Sequence, residues 1–491
     1  MSRELVIGLD MGTTSVKAVV FNLSGELIAE VEEVITTNYP NPGWAEQNPE
    51  EVEKASVTVM KEVINKSDAR DGEILTVGIS AAMHSLICLD EKITPLSQAI
   101  IWSDTRSSEL AEQVIESDNG KLYAKTGTPI HPMTPLLKLM GMKKEKNPAY
   151  EKATYFMSLK EYVLEKWFGK RVIDYSMASA TGFFNVEELK WEASALELAG
   201  IREEQLSEIV PPTEELTGID PEIAKEIGIS EDVPFVIGAA DGQLANLGSG
   251  AIKPGEVNIS VGTSGAIRQF VKGAPVNKKM ETFTYAFTDE TSIIGGPTNN
   301  GGIALQWLKD LLEFEGTHDE LLSGAEEINI GAEGLLFLPY VNGERAPLWN
   351  GRAKGNFYGL NISHKKDHFV RAVLEGIALN IYQISQSLEN IAGPPEKITV
   401  NGGLSKSKIW VQIMADIFGK EIHLSDTHHN AAWGAAWTAL VGIGKVDSFE
   451  AIKESLPREK VIEPNKKNHE EYVQVFERYE KLVDALKGFF K

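Results

Sequence analysis

The sequence predicts an α/β protein of two similar domains that face each other across a cleft. Three observations carry this. An apolar strand, a Gly/Thr turn and a second apolar strand run through residues 5–21. The same form returns at residues 256–267, roughly half a chain length later, with Gly262-Thr263-Ser264-Gly265 at its turn. The 491 residues are enough for two separate cores, and helical patterns lie between the strands.

The first helix is signalled by Asn48-Pro49-Glu50-Glu51, a capping residue with Pro in the first turn and Glu at the third position. Val52, Ala55, Val59, Met60 and Val63 then repeat at helical spacing. Gly248-Ser249-Gly250 and Lys253-Pro254-Gly255 punctuate the chain, so the domains are expected at 1–250 and 251–491. Residues 369–384 are apolar on nearly every face, as in a helix buried between layers. Tyr472, Val475, Phe476, Tyr479, Leu482, Val483 and Leu486 form one stripe of a tail helix, and both stripes read as core.

Composition narrows the function. Apolar residues make up 42% and charged residues 24%, as in a soluble globular chain. No apolar run is long enough to span a membrane, and the N-terminus carries no export signal. The single cysteine, Cys88, fits a reducing cytoplasm. Forty-eight basic against 71 acidic residues leave −23, which argues against a nucleic-acid partner. An anionic substrate would then need local cations, a metal or backbone N–H groups.

Asp10-Met11-Gly12-Thr13-Thr14 places small residues and hydroxyls at a turn where phosphate oxygens can approach closely. Asp10 is a candidate Mg²⁺ ligand, and Lys17 stands where it could reach a phosphate. Gly262-Thr263-Ser264-Gly265 repeats the argument, and the pairing strengthens both. A third cluster, Asn401-Gly402-Gly403-Leu404-Ser405-Lys406-Ser407, follows the strand 398–400 and opens a helix, a setting for a base or ribose. Gly238-Ala239-Ala240-Asp241-Gly242-Gln243 ends an apolar strand in small residues and a carboxylate. Asp241 is either a helix cap or a base for a hydroxyl proton. Met83-His84-Ser85 and Trp102-Ser103-Asp104-Thr105-Arg106 lie at strand ends, where α/β proteins hold ligands, and suit a polyol. His428-His429 lack partners at metal-ligand spacing.

Together these residues resemble the FGGY carbohydrate kinases over roughly residues 4–450. The resemblance implies two ribonuclease-H-like domains with ATP between them and the sugar mostly in the first. It implies phosphate contacts at Gly12, Thr13, Thr14, Gly262 and Thr263, and nucleotide contacts at Gly302, Gln306 and Gly403. Ser407 stands where some members carry Asn near the adenine. Asp241 matches the catalytic base, Asp10 and Asp241 face Mg²⁺, and Met83, His84 and Gln243 match sugar-facing positions. A homodimer is plausible on the same ground.

Within the family, residues 80–87, 126–133, 174–180 and 343–350 resemble the branch that phosphorylates gluconate; 126–133 is the most telling of these, and 343–350 is shared more widely and says little about substrate. The expected reaction moves the ATP γ-phosphoryl group to the 6-hydroxyl of D-gluconate, with domain closure excluding water. Arg106, His131 and Lys160 are the candidate partners of the substrate carboxylate, with His131 or a backbone pocket foremost. The rivals are xylulokinase or another sugar kinase of this family, and a non-catalytic sugar sensor on the same fold. A sensor would be expected to have lost Asp241 or one phosphate turn, and both are intact.

Overall fold

The computed structural model describes residues 3–118, 120–424, 429–457 and 459–490. Its frame is one strand plan used twice. In the first half the strand Leu5–Met11 lies at the centre. The antiparallel strands Ser15–Asn22 and Leu27–Val34 lie on one side of it. On the other side run the parallel strands Ile74–Ala81 and Phe235–Ala240, closed by the antiparallel edge Glu215–Leu216. The second half repeats each step. Glu256–Val261 is central, with Gly265–Lys272 and Thr291–Thr298 antiparallel on one side. Lys397–Asn401 and Ile422–Leu424 are parallel on the other, closed by the antiparallel Lys460–Ile462. A further strand, Phe283–Ala286, makes this sheet seven-stranded against six in the first.

The first central strand reads as a near-continuous apolar run, as in a sheet covered by helices on both faces, whereas the second, Glu256–Val261, alternates polar and apolar residues. Helix Pro49–Lys66 is capped by Asn48, whose side chain accepts from the Glu50 N–H, and it buries Val52, Ala55, Val59, Met60 and Val63 as the spacing predicts. Helix Lys366–Ala392 lies in the second core, buried along most of its length. The tail helix Lys466–Leu486 docks there through Tyr472, Val475, Tyr479 and Val483.

A third core joins the halves. Helix Asn430–Gly442 comes late in the chain, yet Ala432, Trp433, Ala435 and Ala436 cluster with Val6, Val19 and Ala239 of the first sheet and with Phe270 and Ile293 of the second. Its small residues permit a close seat. A Cβ at Gly8 would collide with the Ala432 carbonyl, and one at Gly78 with the Ala435 carbonyl. The helix Asp241–Gly248 follows the equivalent strand of the first half and packs against this one, with Gly434 under the Leu244 carbonyl and Gly248 under that of Asn430. The first sheet therefore borrows part of its cover from the far end of the sequence. His428 lies outside the described residues. No helix among the described residues is long and apolar enough to cross a membrane.

Candidate active site

The two hairpin turns meet at a cavity of about 320 Å³ between the halves, with Thr13 from one turn and Gly262-Thr263-Ser264 from the other in its wall. The second turn is tied to the start of helix Gly302–Leu311: Gly302 N–H donates to the Gly262 carbonyl at 2.7 Å and Ile303 N–H to that of Thr263 at 3.0 Å. A Cβ at Gly301 would press on the carbonyl oxygens of Gly262 and Ser264, so the cradle admits only glycine there. The first turn is held from the cavity wall, where the Trp102 indole N–H donates to Thr13 Oγ1 at 2.9 Å.

Two carboxylates stand at this seam. Asp10, near the end of its strand, accepts from Ser80 Oγ at 2.6 Å, and burial raises its pKa. Asp241 is the first residue of its helix; Ala240 holds the cap position, and among the described residues Asp241 Oδ1 accepts only the neighbouring Gly242 N–H, at 2.7 Å. The carboxylate is thus turned to the cavity rather than used as the cap. Burial pushes its pKa up to about 6, the Asp10 charge adds to the rise, and Arg268 and the Gly242 N–H oppose it.

Met83, His84 and Trp102 line the cavity as expected. His84 sits at φ +68, a left-handed conformation that costs on the order of 1–3 kcal/mol for a residue with a side chain. Two bonds hold it there. Its Nδ1–H donates to the Ala180 carbonyl at 2.7 Å, and Lys138 Nζ donates to the His84 carbonyl at 2.5 Å. Burial and the Lys138 charge push the imidazole pKa down to about 3, so the ring is neutral and its Nε2 accepts. Lys138, in helix Pro135–Lys144, also donates to the Ile100 carbonyl at 3.0 Å, and burial lowers its pKa to about 7.

Several expected contacts are corrected. Arg106 does not face the cavity: its guanidinium holds Asp104 at 2.7 Å and Glu46 at 2.6 Å and stacks on Trp44. Asp104 is committed to that pair and to the Ala45 N–H. Lys160 is buried against Asp174 at 2.7 Å and reaches the Ala239 carbonyl. His131 packs on Trp349, accepts the Met133 N–H at Nδ1, and has its pKa lowered to about 3 by burial and Arg345. It is no cation.

The remaining positions are mixed. Lys17 pairs with Glu32 at 3.4 Å on the strand opposite Asp10. Gln306 is exposed and donates to Asp310 of its own helix. Ser407 caps helix Lys408–Phe418 through the Trp410 N–H. Gly403 opens a 3₁₀ turn, Gly403–Lys406, beside the end of the second central strand. The Gln243 amide is enclosed, and neither of its polar atoms has a partner among the described residues.

Sequence reasoning missed Arg268, Arg345, Tyr285 and Lys138. The signal for Arg268 was a charge inside the apolar strand Gly265–Lys272, and for Lys138 a lysine inside the apolar run Leu136-Leu137-Lys138-Leu139. Arg345 lay in a segment read as uninformative about substrate.

Two carboxylates pressed together beside phosphate-sized turns suit Mg²⁺, which takes one or two carboxylates and completes its shell with phosphate oxygens and water. No cluster of three or more metal-ligating residues occurs among the described residues. The duplicated fold and this seam define an ATP-dependent kinase of a small polyhydroxy substrate. The chain belongs to the FGGY family of carbohydrate kinases, matching the family's N-terminal domain over residues 5–248 and its C-terminal domain over 257–443.

It is 40% identical to the gluconokinase of Bacillus subtilis (strain 168) over 98% of this chain and 96% of that one. The crystal structure of gluconate kinase from Lactobacillus acidophilus superposes with a TM-score of 0.95 at 33% identity, over all of both chains. The ligand-bound xylulose kinase from the same organism gives 0.95 at 32%, over 99% of this chain and 100% of that one. Each half has the ribonuclease-H-like plan of these sugar kinases, and ATP with Mg²⁺ is the family's phosphoryl donor.

Proposed function

We propose that this carbohydrate kinase phosphorylates D-gluconate on its 6-hydroxyl, giving 6-phospho-D-gluconate, in the cytoplasm. The observation that carries the chemistry is Asp241, a carboxylate at the cavity wall with its pKa raised to about 6 beside the two phosphate-sized turns. It takes the hydroxyl proton as the sugar oxygen bonds to Pγ and the Pγ–O bond to ADP breaks. Backbone N–H groups and hydroxyls of Gly12, Thr13, Thr14, Gly262 and Thr263 hold phosphate oxygens. Asp10 and Asp241 would hold Mg²⁺, which supplies charge neutralisation on those oxygens. His84 Nε2 accepts from a sugar hydroxyl.

The sugar assignment is supported by the 40% identity to a gluconokinase over nearly the whole chain. The xylulose kinase of equal TM-score makes xylulose the substrate to compare. A coupled ADP-release assay against gluconate, xylulose, glycerol and ribulose tests the assignment. The highest kcat/KM is expected on gluconate; faster turnover of xylulose overturns the reading.

A further inference from the structure

We propose that Arg268 and Arg345 form the receptor for the substrate's carboxylate and so determine which sugar this kinase accepts. The inference rests on the gluconate reading above. Both guanidinium groups line the cavity that holds Asp241, and these three are the only charged side chains among its described lining residues, since His84 is neutral. A chain of net charge −23 therefore presents its substrate with a local cationic wall.

Among the described residues neither guanidinium has a carboxylate within ion-pair distance. Other arginines largely enclosed by the fold are paired: Arg106 holds Asp104 and Glu46, and Arg371 holds Glu375. Arg268 has none within ion-pair distance, and its side chain makes no hydrogen bond among the described residues. Its Nε is enclosed without a partner. Arg345 stacks on Trp102 at 5.1 Å and spends one donor on the Thr298 carbonyl at 3.3 Å, while its Nε is likewise enclosed and unpartnered. Enclosed donors left unpaired cost far more than they return, whereas a carboxylate would satisfy them in the forked geometry that guanidinium favours.

The two cations also oppose each other: burial lowers the Arg345 pKa to about 10, the Glu344 charge works against that fall, and Arg268 adds to it. An anion between them relieves that repulsion. Arg268 acts on Asp241 through space without an ion pair, and its guanidinium stands against Gly242, the residue after Asp241. One cavity therefore holds a base for the hydroxyl end of a sugar acid and cations for its carboxylate end.

The test compares kinetics on D-gluconate and on D-glucitol, the neutral polyol of the same length, for wild type, Arg268→Met, Arg268→Lys and Arg345→Met. Loss of Arg268 is expected to raise the gluconate KM, lowering the gluconate-to-glucitol ratio of kcat/KM on the order of 10²–10³-fold while the KM for MgATP holds. Arg268→Lys should recover part of that ratio. Arg345→Met should act in the same direction. A fall in kcat at unchanged gluconate KM, or equal losses on both substrates, would mean that the arginines serve the transferring phosphoryl group or the fold, and overturns the proposal. The wild-type profile judges the underlying reading separately. Preference for a different sugar acid removes gluconate and keeps the receptor, whereas preference for a neutral sugar removes both.

Discussion

At the scale of the residue, the geometry turns on how Asp241 is held. Lys160 binds Asp174, Asp174 accepts from Ser176 Oγ, and Ser176 Oγ accepts the Ala240 N–H at 2.8 Å, one residue before Asp241. Replacing Asp241 by Asn should leave ATP binding intact and lower kcat roughly 10²–10⁴-fold, measured by ADP release and by nucleotide titration. In the proposed role Asp241 takes a proton only when ionised, and burial with the Asp10 charge raises its pKa to about 6. In wild type kcat/KM should therefore fall as pH drops through about 6. Arg268 lowers that pKa, so in Arg268→Met the acid limb should move to higher pH. Asp241 itself was legible as a cap or a base, because strand, small residues and carboxylate are contiguous. Its sharing of the cavity with Arg268 and Arg345 was not, because the three residues come from segments that only the folded sheets bring together.

At the scale of the element, the hairpins were readable because a Gly/Thr turn between β-branched runs is a local signal. The corrected residues failed for a related reason: a lysine or arginine beside a predicted site shows its charge in sequence but not its partner. Lys160 finds Asp174 fourteen positions on, across the start of another helix. Lys160→Met should therefore act on stability rather than sugar choice. Leaving Asp174 buried and uncompensated costs about 3–5 kcal/mol, seen as a lower denaturant midpoint, while the gluconate-to-xylulose ratio holds. The seat of helix Asn430–Gly442 was equally hidden, since nothing in its Ala-rich run says which sheet it covers. Gly78→Ala puts a methyl group against the Ala435 carbonyl. It should destabilise by roughly 1–3 kcal/mol or more, with loss of the helix seat readable as faster amide exchange along 430–442.

At the scale of the molecule, the sequence repeat correctly announced two copies of one plan, and the third core shows that they do not stand alone. Residues 1–250 cut from the rest would expose Val6, Val19, Phe21, Ala239 and Leu244, which helix Asn430–Gly442 and its neighbours otherwise cover. That fragment should aggregate, and adding residues 251–491 in trans during refolding should restore solubility, as light scattering would show. The same late helix sets a schedule for the chain during synthesis. The first sheet is complete when residue 240 has been added, and its cover arrives roughly two hundred residues later. At 5–20 residues per second, the ribosome leaves that apolar face unsheltered for on the order of 10–40 s. The nascent first half must spend that interval with a chaperone or as a loosely closed intermediate, so translation speed through the second half bears on the yield of active enzyme.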